Sequence, residues 1–406
     1  MTRGGSPGRK TAGAVAGFAL LAALFLILAG PAAAVTGSWS DRLADLPGAG
    51  PLAGNGRGVT VAVLDTWVDA THPDFGGRVS AGVTCTGGQC TPGADQPDAC
   101  EPHGTHVTGI IASTHYGVAP LAKVFPIRVL TSTSGSCTAD AADVALGIRY
   151  AIAHHIKLIN VSLGSTFPLA DPKRVLPAAV TAASKAGDLV IVAAGNGQAT
   201  AASTYGPNAL TVAALAPNGS IAGYSQRGPG VDIAAPGGDA AGGGCNPADC
   251  VVSTWQDGGY ASDAGTSMAA PFVSGTAALL LSQDPHRTPA QARQIILATA
   301  HPLAQAGAGR LDILAAVRLH APAGSDSLSA TDTPSTAAGA GPSITAAPGA
   351  GAAVTPRATQ GAAQAGAQAS SSSKIKFGPV QLLGILVVGG VGIAFVSVSG
   401  QRARRE

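Results

Sequence analysis

The chain has 406 residues, 46% of them hydrophobic, which is enough for one large domain or two ordinary ones with a full core. Only 11% are charged and the formal net charge is +2, with no basic stripe and no aromatic interleaving, so the pattern excludes a nucleic-acid-binding class. Charge otherwise says little about partners. At the N-terminus, Arg3, Arg9 and Lys10 precede an apolar run over 14–29 and the small-residue exit Pro31-Ala32-Ala33-Ala34. These are the parts of a secretory signal, so residues 1–34 are expected to direct export and 35–56 to form a short N-terminal extension.

From 57 to 320 apolar runs alternate with Gly- and Asn-rich turns and amphipathic stretches. Short, continuous, β-branched runs at 59–64, 157–162, 189–194 and 210–214 have the pattern of strands covered by helices on both faces. Helices are predicted between them at 139–154 and 172–186, so the fold class is α/β with a mostly parallel central sheet. Cys85, Cys90, Cys100, Cys137, Cys245 and Cys250 lie in the region expected to be exported, where an even count points to disulfides. Cys245 and Cys250 are the pair named by their short spacing in a Gly-rich loop, and the other four are expected to pair among themselves. A zinc site is set aside, because no paired Cys-x-x-Cys spacing accompanies them.

Residues 321–373 are mostly Ala, Ser, Thr, Gly and Pro and end in Ser370-Ser371-Ser372-Ser373, a composition that cannot bury enough apolar surface to fold. The uncharged stretch 377–400 is long enough to span a bilayer core of about 30 Å as a single C-terminal transmembrane helix. Arg402, Arg404 and Arg405 in the tail 401–406 place that end in the cytoplasm, against the two lysines Lys374 and Lys376 before it. The expected location is therefore the cell membrane, single-pass, with the large zone extracytoplasmic.

In open parallel sheets the working groups lie just past the carboxyl ends of strands. Leu64-Asp65-Thr66 ends the first strand, and alone Asp65 reads as a turn cap. His103-Gly104-Thr105-His106-Val107 opens a helical run; a histidine at a helix start suits a general base, and two histidines three apart also suit a metal, for which no third ligand follows. Gly265-Thr266-Ser267-Met268-Ala269-Ala270-Pro271 puts a hydroxyl among small residues at the entrance of an apolar helix, where a substrate backbone can come close and developing anionic charge is favoured. Alone, that serine reads as a helix cap. Asp, then His, then Ser is the chain order of one of the known triad solutions.

Those three blocks together resemble the signatures of the subtilase family, over about residues 57–320 and including Gly307-Ala308-Gly309-Arg310-Leu311-Asp312. The resemblance implies a subtilisin-like fold and a serine endopeptidase in which Ser267 is the nucleophile, His103 its base and Asp65 the group that orients His103, leaving His106 structural. Ala193-Ala194-Gly195-Asn196 resembles the family's oxyanion block, with Asn196 donating alongside the Ser267 N–H. Ser162-Leu163-Gly164 resembles the edge that pairs with an extended substrate. A polypeptide substrate is implied and no cofactor; structural calcium is not legible, because in the family its ligands come from variable loops.

Two departures stand out. Trp67 occupies a place where the family has glycine, and its ring must either pack against the His103 loop or narrow the cleft. Residues 35–56 are too few for the family's usual propeptide domain, so folding proceeds without one or this stretch wraps the domain as an extension. The layout of signal, subtilase domain, Pro/Ala-rich linker, membrane span and basic tail resembles the mycosins, membrane-anchored subtilases of actinobacterial type VII secretion, which implies a secretion complex as partner. The rival readings are a general surface-anchored subtilase and a catalytically restrained scaffold subunit. Gly197 after Asn196 offers no acid to select a basic side chain, so small or apolar residues are the expected preference.

Overall fold

A computed structural model describes residues 38–133, 136–163, 172–197, 204–240 and 244–319. The chain divides into two compact units, Met1–Lys374 and Ile375–Glu406, and all the elements described here belong to the first. The expected signal at 1–34, the linker and the span at 377–400 lie outside the described residues. Among the described residues no helix is long and apolar enough to cross a membrane.

The apolar runs become the strands β1 (Thr60–Asp65), β7 (Leu158–Val161), β8 (Leu189–Ala193) and β9 (Leu210–Leu215), with almost every residue buried. Four more complete an eight-stranded sheet: β2 (Val83–Thr86), β3 (Gln89–Pro92), β4 (Lys123–Arg128) and β10 (Ile233–Pro236), in the order β10-β9-β8-β7-β1-β4-β2-β3. All neighbours pair in parallel except β2 with β3. The strand β4 escapes a pattern reading because Pro126 interrupts its apolar run. It is tolerated because the ladder to β2 starts only after it, at Val83 opposite Ile127. Gly82 is required beside it: a Cβ there would lie 2.0 Å from the Pro126 carbonyl oxygen. Two small antiparallel hairpins, β5 (Thr131–Thr133) with β6 (Ser136–Thr138) and β11 (Val251–Thr254) with β12 (Tyr260–Asp263), stand outside the sheet.

The described helices are α1 (Trp39–Leu43), α2 (Ala49–Leu52), α3 (His103–Ala112), α4 (Ala141–Ala153), α5 (Pro172–Lys185), α6 (Thr266–Gln283), α7 (Pro289–Ala298) and α8 (Ile313–Arg318). One face of the sheet packs with α3 and α6, the other with α4 and α5, giving two apolar layers. α6 is buried from Thr266 to Leu280, so it is apolar all round rather than striped. α4 starts where Asp140 accepts from Ala142 N–H, and α7 where Thr288 and Gln291 form a capping box.

The chain enters at β1 in the middle of the sheet, forms the edge pair β2 and β3, returns to place β4 between them and β1, then crosses to β7 on the other flank of β1. The strand order therefore reverses between β1 and β7, and in open α/β sheets ligands bind beyond the carboxyl ends of the strands at such a point. The three disulfides are Cys85–Cys90, which joins directly opposed residues of β2 and β3, Cys100–Cys137, and Cys245–Cys250 as expected from spacing.

Residues 38–56 wrap the domain. Trp39 Nε1 donates to Cys250 O at 3.1 Å, Ile313 N–H to Ala44 O at 2.9 Å and Leu121 N–H to Asn55 O at 2.8 Å. Ala44, Ala49 and Ala53 are fully buried in the core.

Candidate active site

Asp65 is the last residue of β1 and is fully buried. Its Oδ1 accepts from Thr66 N–H at 2.7 Å and meets His103 Nδ1 at 2.6 Å, while Oδ2 has no partner among the described residues. That contact fixes the tautomer: Nδ1 carries the proton, and Nε2 is left as the basic nitrogen of a partly exposed ring. Burial pulls the His103 pKa down, but the charge and hydrogen bond of Asp65, followed by the charges of Asp263 and Glu101, raise it from 6.5 to about 9.

The position of His103 depends on how closely α3 approaches β1. Gly104 N–H donates to Thr66 Oγ1 at 2.8 Å, and a Cβ on Gly104 would lie 2.8 Å from Thr66 O and 2.9 Å from Trp67 O. Trp67 is buried, and its Nε1 donates to Cys100 O at 2.8 Å. The ring thus packs beneath the loop before His103 instead of narrowing the cleft. His106 is fully buried, with Nε2 placed 3.2 Å from both Val251 O and Ala261 O; burial drives its pKa down to about 4, so it is a neutral strut between α3 and the β11–β12 hairpin.

Ser267 is the second residue of α6, at the helix N-terminus. Its Oγ donates to Ser162 O at 3.0 Å, and Ser162 Oγ returns a bond to Ser267 O at 2.9 Å. The second bond has a sequence cause. Pro271 has no N–H to give to the carbonyl four residues back, so Ser267 O is open to Ser162. Among the described residues no hydrogen bond joins Ser267 Oγ to His103. Ser162 and Leu163 are buried just past β7, and Gly164 lies outside the described residues.

Asn196 follows β8 and is exposed. Its Oδ1 accepts from both Thr266 N–H, at 3.0 Å, and Thr266 Oγ1, at 2.9 Å. Two donors on one atom decide the amide's orientation, so Nδ2 is the end presented elsewhere. Ala193 and Ala194 are buried, and the backbone of Gly195, at φ +110°, is engaged on both sides: its N–H donates to Thr266 Oγ1 at 3.1 Å and its C=O accepts from Gln226 N–H at 2.9 Å. Thr266 thus organises the whole segment, a role that sequence reading passed over although the residue stands beside Ser267.

A model of the subtilase family matches residues 56–341. The chain belongs to the subtilase family. It is 36% identical to Subtilisin Savinase of Lederbergia lenta over 69% of this chain and 98% of that protein. It is also 38% identical to a thermostable alkaline protease of Halalkalibacterium halodurans, over 60% of this chain and 63% of the relative's length. A solved structure of a protease from Pseudoalteromonas arctica superposes with TM-score 0.61 at 30% identity, covering 68% of this chain and 93% of that one. The subtilase carries the peptidase domain of a subtilisin-type serine protease, on the mostly parallel α/β sheet expected from its sequence.

A subtilase needs a base held beside a helix-borne serine, and the switch point between β1 and β7 supplies the frame. Asp65 and His103 are joined; Ser267 and Asn196 are joined through Thr266; Ser162 ties α6 to the end of β7. The described residues that offer metal-type ligands together, Asp45, His301 and Asp312, belong to the clamp on the N-terminal stretch and lie outside this constellation.

Proposed function

We propose that Ser267, His103 and Asp65 hydrolyse peptide bonds through an acyl-enzyme, with Asn196 as oxyanion donor. The observation that carries this reading is the His103 Nδ1–Asp65 contact of 2.6 Å at the end of β1 in a chain of the subtilase family. In this reading Ser267 Oγ gives up the Ser162 carbonyl and donates instead to His103 Nε2. His103 then takes the hydroxyl proton as Oγ attacks the substrate carbonyl, and Asp65 stabilises the imidazolium that forms. Negative charge on the carbonyl oxygen is met by Asn196 Nδ2 and by Ser267 N–H, which lies in a helix turn without intrahelical acceptors. His103 passes its proton to the leaving amine, and water releases the acyl group by the same route. The expected substrate edge at Ser162, Leu163 and Gly164, with Ala193 to Gly195 opposite, is part of the same proposal.

The substrates in this reading are exported polypeptides cut at the outer face of the membrane. The signal-like 1–34, the span-like 377–400, the basic tail and three disulfides support that location. The order of these segments around the peptidase domain supports a mycosin-like part in type VII secretion. The alternative of a restrained scaffold subunit draws on the Ser267–Ser162 pair, which occupies the serine hydroxyl.

Fluorophosphonate labelling separates the two. Covalent labelling of the full chain, lost in Ser267→Ala, is the result expected; a folded protein that takes no label overturns the enzyme reading. Mapping new protein N-termini on cells with the active protein and with Ser267→Ala tests the exported-substrate part, and a difference among surface proteins is expected.

A further inference from the structure

Beneath the nucleophile runs a line of buried side chains that the peptide-cleaving steps leave unused. Asn160 is the third residue of β7, in register with Val63 of β1 and Ile191 of β8, so it stands in the middle of the sheet. Leu158, two residues before it, belongs to the apolar layer shared with α3 and α6, and Ile159 and Val161 belong to the other layer, as alternation along a strand requires. Asn160 thus turns its amide towards α6, where Ser274 Oγ donates to its Oδ1 at 2.8 Å. Ser274 lies two turns further along α6 than Ser267, on the same face. At the other end of the amide, Nδ2 donates to Ser162 Oγ at 2.9 Å, and Ser162 Oγ donates to Ser267 O at 2.9 Å. Asn160 and Ser274 are fully buried and Ser162 almost so.

The direction of every bond in this line is decided. A backbone carbonyl only accepts, so the single proton of the Ser162 hydroxyl is spent on Ser267 O. Ser162 Oγ must therefore accept from Asn160, which fixes the amide end beside it as Nδ2 and turns Oδ1 to Ser274. The line ends at the weak point of α6. Pro271 has no N–H for Ser267 O, so that helical bond is missing, and the Ser162 hydroxyl makes the bond instead. The other residues of β7, Leu158, Ile159 and Val161, are apolar, and an amide buried among them is tolerated because both its ends are bonded.

We infer that Asn160 is a positioning residue for the nucleophile, acting through the Ser162 hydroxyl to set where the first turn of α6 holds Ser267. Without the Asn160 Nδ2–H, Ser162 Oγ loses the bond that fixes its rotamer, and the partner of Ser267 O is free to turn away. A shift of that turn moves the Ser267 Oγ and N–H together, the attacking atom and an oxyanion donor. The loss therefore falls on the transition state rather than on binding of the peptide. This role rests on the protease reading above and adds to it a residue outside the three signature blocks.

The test is a double-mutant cycle of Asn160→Ala and Ser162→Ala in the full chain, with kcat expressed per site titrated by a fluorophosphonate so that unfolded molecules are not counted. Each single variant is expected to lose about tenfold to a hundredfold in kcat with KM changed far less, the effect of a small misplacement of reacting atoms. The double variant should lose little more than either single one, because both changes cut the same line. Asn160→Ala leaves a void beside α6. If it does not fold, Ser274→Ala takes its place in the cycle, with a smaller kcat loss that again vanishes once Ser162 is alanine. Three results overturn the inference and leave the protease reading standing: losses that multiply in the double variant, a KM that rises as much as kcat falls, or an unchanged kcat in Asn160→Ala or in the Ser274→Ala that replaces it. If the full chain itself cuts no peptide and takes no fluorophosphonate, the protease reading fails and this inference fails with it.

Discussion

His103 can act as a base only when its ring is neutral, and its neighbours work against that. With a pKa raised from 6.5 to about 9, the protonated form persists well above the ordinary imidazole range, so kcat/KM should climb with pH along an alkaline-shifted acid limb. Asp263 contributes to the rise, so Asp263→Asn should move that limb to lower pH, and a pH–rate profile with an unchanged limb would count against the assignment. His106 behaves in the opposite sense. Its folded pKa of about 4 lies below the ordinary 6.5, so between those values the unfolded chain binds the extra proton and folding weakens as pH falls. The full effect is on the order of 3 kcal/mol and should be visible as acid destabilisation over that window in denaturant titrations, absent when His106 is replaced by a non-titrating side chain. At Asn196 the expected loss on Asn196→Ala is about 10²–10³ in kcat with a smaller change in KM. Thr266→Val should lower kcat by less, because it removes one of two bonds that aim the amide and leaves the amide itself.

At the scale of elements, the loop before His103 is held from three sides: by the Trp67 ring through Cys100 O, by Asp98 against Arg128, and by the Cys100–Cys137 disulfide. That disulfide spans 37 residues, whereas Cys85–Cys90 and Cys245–Cys250 each span 5. Closing the longer loop removes more freedom from the unfolded chain, about 4 kcal/mol against about 2. Cys100→Ser with Cys137→Ser should therefore lower Tm more than either short pair by calorimetry, and lower kcat as the His103 loop loosens. Trp67→Gly, which would raise activity if the ring narrowed the cleft, should instead destabilise the protein. The sequence blocks around Asp65, His103 and Ser267 were legible because each packs its chemistry into a local strand end or helix start. Cys245–Cys250 was legible for the same local reason. The pairing of Cys85 with Cys90 was not, since it depends on the register of β2 against β3. Pro126 hid β4 because its tolerance depends on where β2 joins. Asp263 was silent because only the hairpin's docking on α3 brings it to His103.

At the scale of the whole molecule, the N-terminal stretch and the end of the domain close on each other. Arg310 Nη1 donates to Leu43 O and binds Asp45 at 2.9 Å, while His301 Nε2 meets Asp312, the N-cap of α8, at 2.8 Å. The same stretch reaches the catalytic side through Trp39 Nε1 on Cys250 O, immediately before β11. An inhibitory segment would leave the domain intact and more active when removed. A segment that contributes buried Ala44, Ala49 and Ala53 to the core should not. Deleting residues 38–56 is thus expected to lower Tm by many degrees and to leave activity per folded molecule unchanged or reduced, because the hairpin that supports α3 loses an anchor. Arg310→Ala alone should weaken the same clamp by only about 1 kcal/mol, because Asp45 is partly exposed and solvent screens the pair. The measurements are calorimetry together with active-site titration, which counts competent molecules separately from folded ones. A truncated chain of unchanged Tm that turns over faster than the full chain would make the stretch an inhibitor rather than a structural clamp.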